Sequence, residues 1–195
     1  MESRPGIAAP APRAVLFDAY GTLFDVYSVG LLAEQLFPGH GQALGVLWRD
    51  KQIEYTRLVT TCNDGAHYQP FWQLTQAGLR FACRKLELDL TPAREQQLMN
   101  QYRHLSAFPE NLEVLQELQR RKVPAAILSN GDPEMLGVAV RSAGIEGLLR
   151  HVLSVHAVQR YKTDPAAYER KVKVLLAGGS SPVIKKNPGK FNFSS

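Results

Sequence analysis

Three short apolar runs, each stopped by polar residues, constrain this chain more than any other feature. Ala14-Val15-Leu16-Phe17 stops at Asp18, with Gly21-Thr22 just behind; Val123-Pro124-Ala125-Ala126-Ile127-Leu128 stops at Ser129-Asn130-Gly131; His151-Val152-Leu153-Ser154 is followed shortly by Lys162. Runs of this length, bounded by turn residues, read as buried parallel strands. From Pro109 onward the order is helix, strand, helix, strand, helix, with Asp132-Pro133 capping the helix that runs to about Ala143-Gly144. That order predicts an α/β fold, a parallel sheet covered by helices. Between the first two strands the spacing is helical throughout. Leu31, Leu32 and Leu36, then Leu44, Leu47 and Trp48, mark a stretch broken by Pro38-Gly39-His40-Gly41 and ending near Leu58. A second helix is predicted from about Tyr68 to Leu88, and a third starts at Thr91-Pro92 and runs to about Tyr102, with Thr as N-cap and Pro in the first turn. The chain divides accordingly: a disordered tail over 1–13, a core over 14–27 and 106–170, an inserted helical block over 28–105, and an atypical basic tail over 171–195.

Composition excludes several classes. With 195 residues, 45% of them hydrophobic, the chain can bury one sizeable core and is unlike a disordered protein. No apolar run nears the ~20 residues a membrane helix needs, and the start lacks the apolar stretch of a secretory signal. The net charge of +5 resides in Lys171, Lys173, Lys185, Lys186 and Lys190, so residues 1–170 are neutral overall. A nucleic-acid binder carries its positive charge on the folded face that meets phosphate, and this chain does not. Cys62 and Cys83 have neither metal-site spacing nor disulfide density, which predicts a reduced cytoplasmic protein. His40, His67, His104, His151 and His156 form no metal pattern and read as surface or packing residues.

In an open parallel sheet, ligands sit beyond the carboxyl ends of the strands. Asp18, Ser129-Asn130 and Lys162 taken singly are ordinary turn residues or solvated charges. Together they aim a carboxylate, a hydroxyl with an amide, and an ammonium at one point. A carboxylate is already ionised and needs no base to become a nucleophile; held out of bulk water it can displace a leaving group and form an ester. Lys162 would keep it ionised and orient it. Ser129 and Asn130 would donate hydrogen bonds to an anionic substrate, and water would split the ester to regenerate Asp18.

Phe17-Asp18-Ala19-Tyr20-Gly21-Thr22-Leu23-Phe24-Asp25 resembles the first motif of the haloacid dehalogenase superfamily. Ile127-Leu128-Ser129-Asn130-Gly131 resembles its second, and Tyr161-Lys162-Thr163-Asp164-Pro165 its third. The segment from Leu47 to Thr56, with Trp48-Arg49 and Tyr55-Thr56, is similar to the narrower group of L-2-haloacid dehalogenases. The resemblance covers about residues 14–169 and implies a Rossmann-like parallel sheet core with an inserted helical cap. It also implies hydrolysis of short L-2-haloacids to D-2-hydroxyacids through an ester on Asp18, with no metal and no cofactor. In that reading Arg49, Asn130 and Phe71 receive the halide. Ser129 and the amide of Ala19, beside Tyr20, bind the substrate carboxylate. Thr22 and Lys162 hold Asp18, and Tyr168 supports the cluster. Superfamily phosphatases carry a second Asp two residues after the nucleophile; this chain has Tyr20, which argues against a Mg²⁺-dependent phosphatase, the alternative reading. The partners implied are a small 2-haloacid and water, with a homodimer expected from relatives and no nucleic acid or membrane.

Beyond Tyr168-Glu169 the pattern departs. The family's fourth motif is Ser-Ser-Asn-x-x-Asp, whereas here Ser180-Ser181 is followed by Pro182-Val183. The Asn and Asp of that motif would position the hydrolytic water and Lys162. Their absence predicts impaired ester release, with a catalytically silent fragment as the further alternative.

Overall fold

The computed structural model describes residues 12–169. The expectations for residues 1–11 and for residues 170–195, including the altered fourth motif, lie outside them. Strands β1 (Val15–Phe17), β2 (Ala125–Ser129) and β3 (His151–Ser154) form a parallel sheet in the order β1-β2-β3. Phe17 lies beside Ile127, and Ser129 beside Ser154. Parallel pairing brings the carboxyl ends of all three strands to one edge, as the polar stops predict.

Central β2 is buried along its whole length, as a continuous apolar run should be, and so is β3, whereas β1 is half-buried among the described residues. The second strand starts two residues later than predicted, because Pro124 has no N–H to donate; its carbonyl still accepts from Val15. His151 opens β3 with its ring buried and Nδ1 unpaired among the described residues, and burial holds its pKa below the usual histidine value. A depressed histidine binds its proton more readily in the unfolded chain. Its contribution to stability is therefore full above about pH 6.5 and is lost progressively as pH falls from there through the lower folded-state pKa. The urea midpoint should drop between pH 7.5 and pH 5, and drop less in His151→Leu. Identical pH dependence in both proteins would contradict this.

Between β1 and β2 run α1 (Gly30–Leu36), α2 (Gly41–Thr61), α3 (Phe71–Lys85) and α4 (Pro92–Arg103); α5 (Asn111–Arg120) leads into β2, and α6 (Pro133–Ser142) crosses to β3. The break predicted at Pro38–Gly41 separates α1 from α2. There the Glu34 carboxylate accepts from the N–H groups of Gly39 (2.5 Å) and Gly41 (2.8 Å), serving the positive end of α2. A Cβ at Gly41 would lie 2.6 Å from the Gly30 carbonyl, so the two helices can approach this closely only through glycine. Thr91 caps α4 as predicted, its hydroxyl accepting from Arg94 N–H at 3.3 Å.

Asp132 does not behave as predicted. Its side chain makes no capping bond to α6. The carboxylate instead reaches the start of α3, accepting from Phe71 N–H (3.1 Å) and Trp72 N–H (2.7 Å). Both are donors the first turn of a helix cannot satisfy internally. His156 is likewise more than a surface residue: its Nδ1 lies 3.1 Å from the Tyr68 hydroxyl and 3.4 Å from the same Asp132 carboxylate. Burial raises the Asp132 pKa from its ordinary value, against the bonds from Trp72 and Phe71 N–H, which lower it. Leu44, Trp48, Leu79 and Leu98 of the helical block belong to one buried cluster with Ile127 and Leu136 of the sheet and its cover. Among the described residues no helix is long and apolar enough to cross a membrane, and Cys62 (exposed) and Cys83 (buried) are free thiols.

Candidate active site

The loop after β1 is a tight turn. The Ala19 carbonyl accepts from Leu23 and Phe24 N–H groups, each at 2.9 Å, which leaves the Asp18 side chain projecting from the strand end. Lys162 reaches it from the segment after β3. Its ammonium donates to Asp18 Oδ1 at 2.6 Å and to the Leu128 carbonyl at 2.7 Å, and its backbone N–H donates to Asn130 Oδ1 at 2.9 Å. One lysine thus ties all three strand ends together. It engages only Oδ1 of Asp18, and Oδ2 takes no hydrogen bond among the described residues.

Ser129 is fully buried, and its Oγ accepts from Gly131 N–H at 3.1 Å, so the hydroxyl proton remains to be donated. The Asn130 amide uses its oxygen on Lys162, and its N–H donors take no partner among the described residues. Tyr20 is buried beneath them. Its ring lies 5.5 Å from that of Phe71 and 5.9 Å from that of Tyr102. Its hydroxyl has no partner among the described residues, and burial pushes the phenol well above its ordinary pKa, so it stays a neutral donor. A Cβ at Gly131 would sit 2.5 Å from Tyr20 Cε2 and 3.2 Å from Leu136. Gly131→Ala should therefore cost about 1–3 kcal/mol of stability by overpacking and should lower activity by moving Tyr20. Calorimetry with steady-state kinetics would check it, and an unchanged melting temperature would contradict it.

From α2, Arg49 reaches across to the β1 loop. One guanidinium nitrogen donates to the Tyr20 carbonyl at 3.0 Å and another to Gln52 Oε1 at 2.7 Å. Arg49, Tyr20, Asp18, Phe71, Ser129, Asn130 and Lys162 line one cavity of about 120 Å³. That is well below the ~300–1,000 Å³ of sites for drug-sized ligands, so its occupant is small. A larger concavity of about 890 Å³ between α3 and α4 contains none of these residues. Asp18 is the one carboxylate lining the small cavity among the described residues, and an ammonium occupies one of its oxygens. A hard divalent cation would want several oxygen ligands there.

The convergence is not complete. Thr22 is exposed and does not line the cavity; its hydroxyl makes no hydrogen bond to Asp18. Tyr168 is exposed on the first turn of a helix beginning at residue 166, also away from the cavity. Ala19 is fully buried in the turn behind Asp18. Gln52, Ile53, Thr56, Arg57 and Thr163 line the cavity without having been given a site role from the sequence. The signal for four of them was available: positions 49, 52, 53, 56 and 57 share one face of a helix.

Known proteins share both the sequence and this fold. Residues 12–183 match the family model of the haloacid dehalogenase-like hydrolases. The (S)-2-haloacid dehalogenase of Pseudomonas sp. (strain YL) is 44% identical over 163 residues, covering 84% of this chain and 69% of that protein. A crystallised L-2-haloacid dehalogenase superposes with TM-score 0.81 at 57% identity, covering 84% of this chain and 72% of that one. The enzyme from Xanthobacter autotrophicus, solved with chloropropionic acid covalently bound, gives TM-score 0.77 at 34% identity over 88% of this chain and 66% of that one. The chain belongs to the haloacid dehalogenase-like hydrolases and, within them, to the L-2-haloacid dehalogenases.

Proposed function

We propose that this chain hydrolyses short L-2-haloacids, with Asp18 as nucleophile, no metal ion, and the helical block over 28–105 acting as a cap on the sheet. The observation that carries the reading is the pairing of Asp18 with Lys162 in a small cavity that also holds the Arg49 guanidinium. Asp18 Oδ2 attacks C2 of the substrate from the side opposite the halogen. The C–O bond forms as the carbon–halogen bond breaks, the halide leaves with the bonding pair, and C2 inverts. Lys162 stays on Oδ1 and fixes the direction of attack. Arg49 supplies positive charge where the halide's negative charge develops, with the Asn130 N–H donors and the electropositive edge of Phe71 beside it. Ser129 and the amide of Ala19 hold the substrate carboxylate above Tyr20. Water then attacks the ester carbonyl, releasing the D-2-hydroxyacid and a proton and restoring the carboxylate. The halide leaves as a weak base and takes no proton, and the alkoxide expelled from the ester takes one of the two protons of the attacking water, so the first step requires no second acid where Tyr20 stands.

The departure at Ser180-Ser181-Pro182 makes ester hydrolysis the slower half of this cycle. The free thiols support a reduced, cytoplasmic setting. Chloride release from L-2-chloropropanoate, followed under single-turnover conditions, tests the reading. Absence of release, together with Mg²⁺-stimulated hydrolysis of p-nitrophenyl phosphate, would replace it with the phosphatase.

A further inference from the structure

Gln52 is a polar side chain with no exposed surface. A buried amide is costly unless every polar atom is satisfied, and a Met or Leu would join the same helices by packing alone. Three hydrogen bonds hold the amide in one specific way. Oε1 accepts from Arg49 at 2.7 Å and from the Tyr102 hydroxyl at 3.0 Å, and Nε2 donates to Thr75 Oγ1 at 2.5 Å. The Thr75 hydroxyl passes its own proton to the Phe71 carbonyl at 2.8 Å. Arginine can only donate, so the atom facing Arg49 is the oxygen and the amide has one orientation. The network starts at one residue of the cavity wall, Arg49, and ends at another, Phe71. Its middle members, Tyr102 on α4 and Thr75 on α3, are buried.

We infer that Gln52 is a positioning residue: with Thr75 and Tyr102 it locks the Arg49 guanidinium in the orientation that receives the departing halide. The inference rests on the dehalogenase reading of the cavity. Arg49 has one other anchor, the Tyr20 carbonyl at 3.0 Å. Two fixed acceptors define a plane for the guanidinium, whereas one leaves it free to swing. Loosening the cation weakens its hold on the halide in the transition state, and this matters more for the poorer leaving group.

Gln52→Met keeps the volume and removes the hydrogen bonds. In this variant kcat/KM should fall about tenfold for L-2-chloropropanoate and about threefold for L-2-bromopropanoate, so that the bromo-to-chloro ratio rises about threefold. Misfolded protein lowers both values equally and leaves the ratio alone. Thr75→Val, one bond further out, should raise the ratio by less and serves if Gln52→Met does not fold. An unchanged ratio in the folded variants, while Arg49→Lys raises it, would overturn the role of Gln52 and leave the function standing. Broadening of the chloride NMR line by the protein reads the same site without turnover. It should be strong in the wild type and weak in Arg49→Lys and Gln52→Met. That pattern without any halide release would overturn the function and keep the positioning role; equal broadening in all three proteins would overturn the positioning role.

Discussion

Asp18→Asn should release no measurable halide, a loss of about 10⁴-fold or more, the scale seen when an enzymatic nucleophile is removed. The reason is specific to this site. Lys162 occupies Oδ1, so a single oxygen of residue 18 is available for attack; in the amide the ammonium still claims the one oxygen, and an NH₂ group, which is no nucleophile, stands where the attacking oxygen was. The fold should survive. Asp18 is 41% exposed in its side chain, and Lys162 keeps its bond to the Leu128 carbonyl in the variant. Halide electrode readings alongside circular dichroism would separate lost chemistry from lost structure. Residual activity above a hundredth of wild type in the freshly prepared Asp18→Asn variant would point to water, and not residue 18, as the attacking group.

Lys162→Met should be the next most severe change, lowering kcat/KM for L-2-chloropropanoate by about 10²–10³-fold, the scale that misplacement of a reacting group by ~1 Å produces. The methionine stem can fill the space, and the backbone N–H still donates to Asn130. What disappears is the ammonium that holds Oδ1 at 2.6 Å and anchors it to the Leu128 carbonyl of the central strand. Asp18 would then rotate, and its charge would face the substrate carboxylate unopposed. Lys162→Arg should restore little, because a planar guanidinium cannot replace a compact point charge shared between a carboxylate and a carbonyl. Pre-steady-state halide release would check both variants. A Lys162→Met enzyme within fivefold of wild type would show that the pair is structural only.

Much of this arrangement is legible in the amino-acid sequence. Apolar strands that end in Asp18, Ser129-Asn130 and Lys162 announce a site at the carboxyl edge of a parallel sheet, and the three do converge. The Pro38–Gly41 break and the Thr91-Pro92 start are chemical signals that act locally, so they read correctly. What does not read depends on contacts between residues distant in sequence. Asp132 looks like a cap for the helix it precedes, yet its carboxylate serves the start of α3, some sixty positions earlier. Gln52 sits in the polar run Arg49-Asp50-Lys51-Gln52, and only packing against α3 and α4 reveals that it is buried while Asp50 is exposed. Thr22 and Tyr168 entered through motif likeness alone, and both lie on the surface. The order β1-β2-β3 among the described residues is equally hidden, since strand order is set by pairing and not by composition.

The central claim, a covalent ester on Asp18, is tested most directly by a single turnover of L-2-chloropropanoate in H₂¹⁸O, with excess enzyme, acid quench, digestion and mass spectrometry. The peptide bearing residue 18 should appear first with the added mass of the propanoate ester and later with one ¹⁸O, while the lactate formed carries only ¹⁶O at its hydroxyl. Lactate labelled with ¹⁸O in that first turnover, and a residue-18 peptide that never changes mass, would contradict the account.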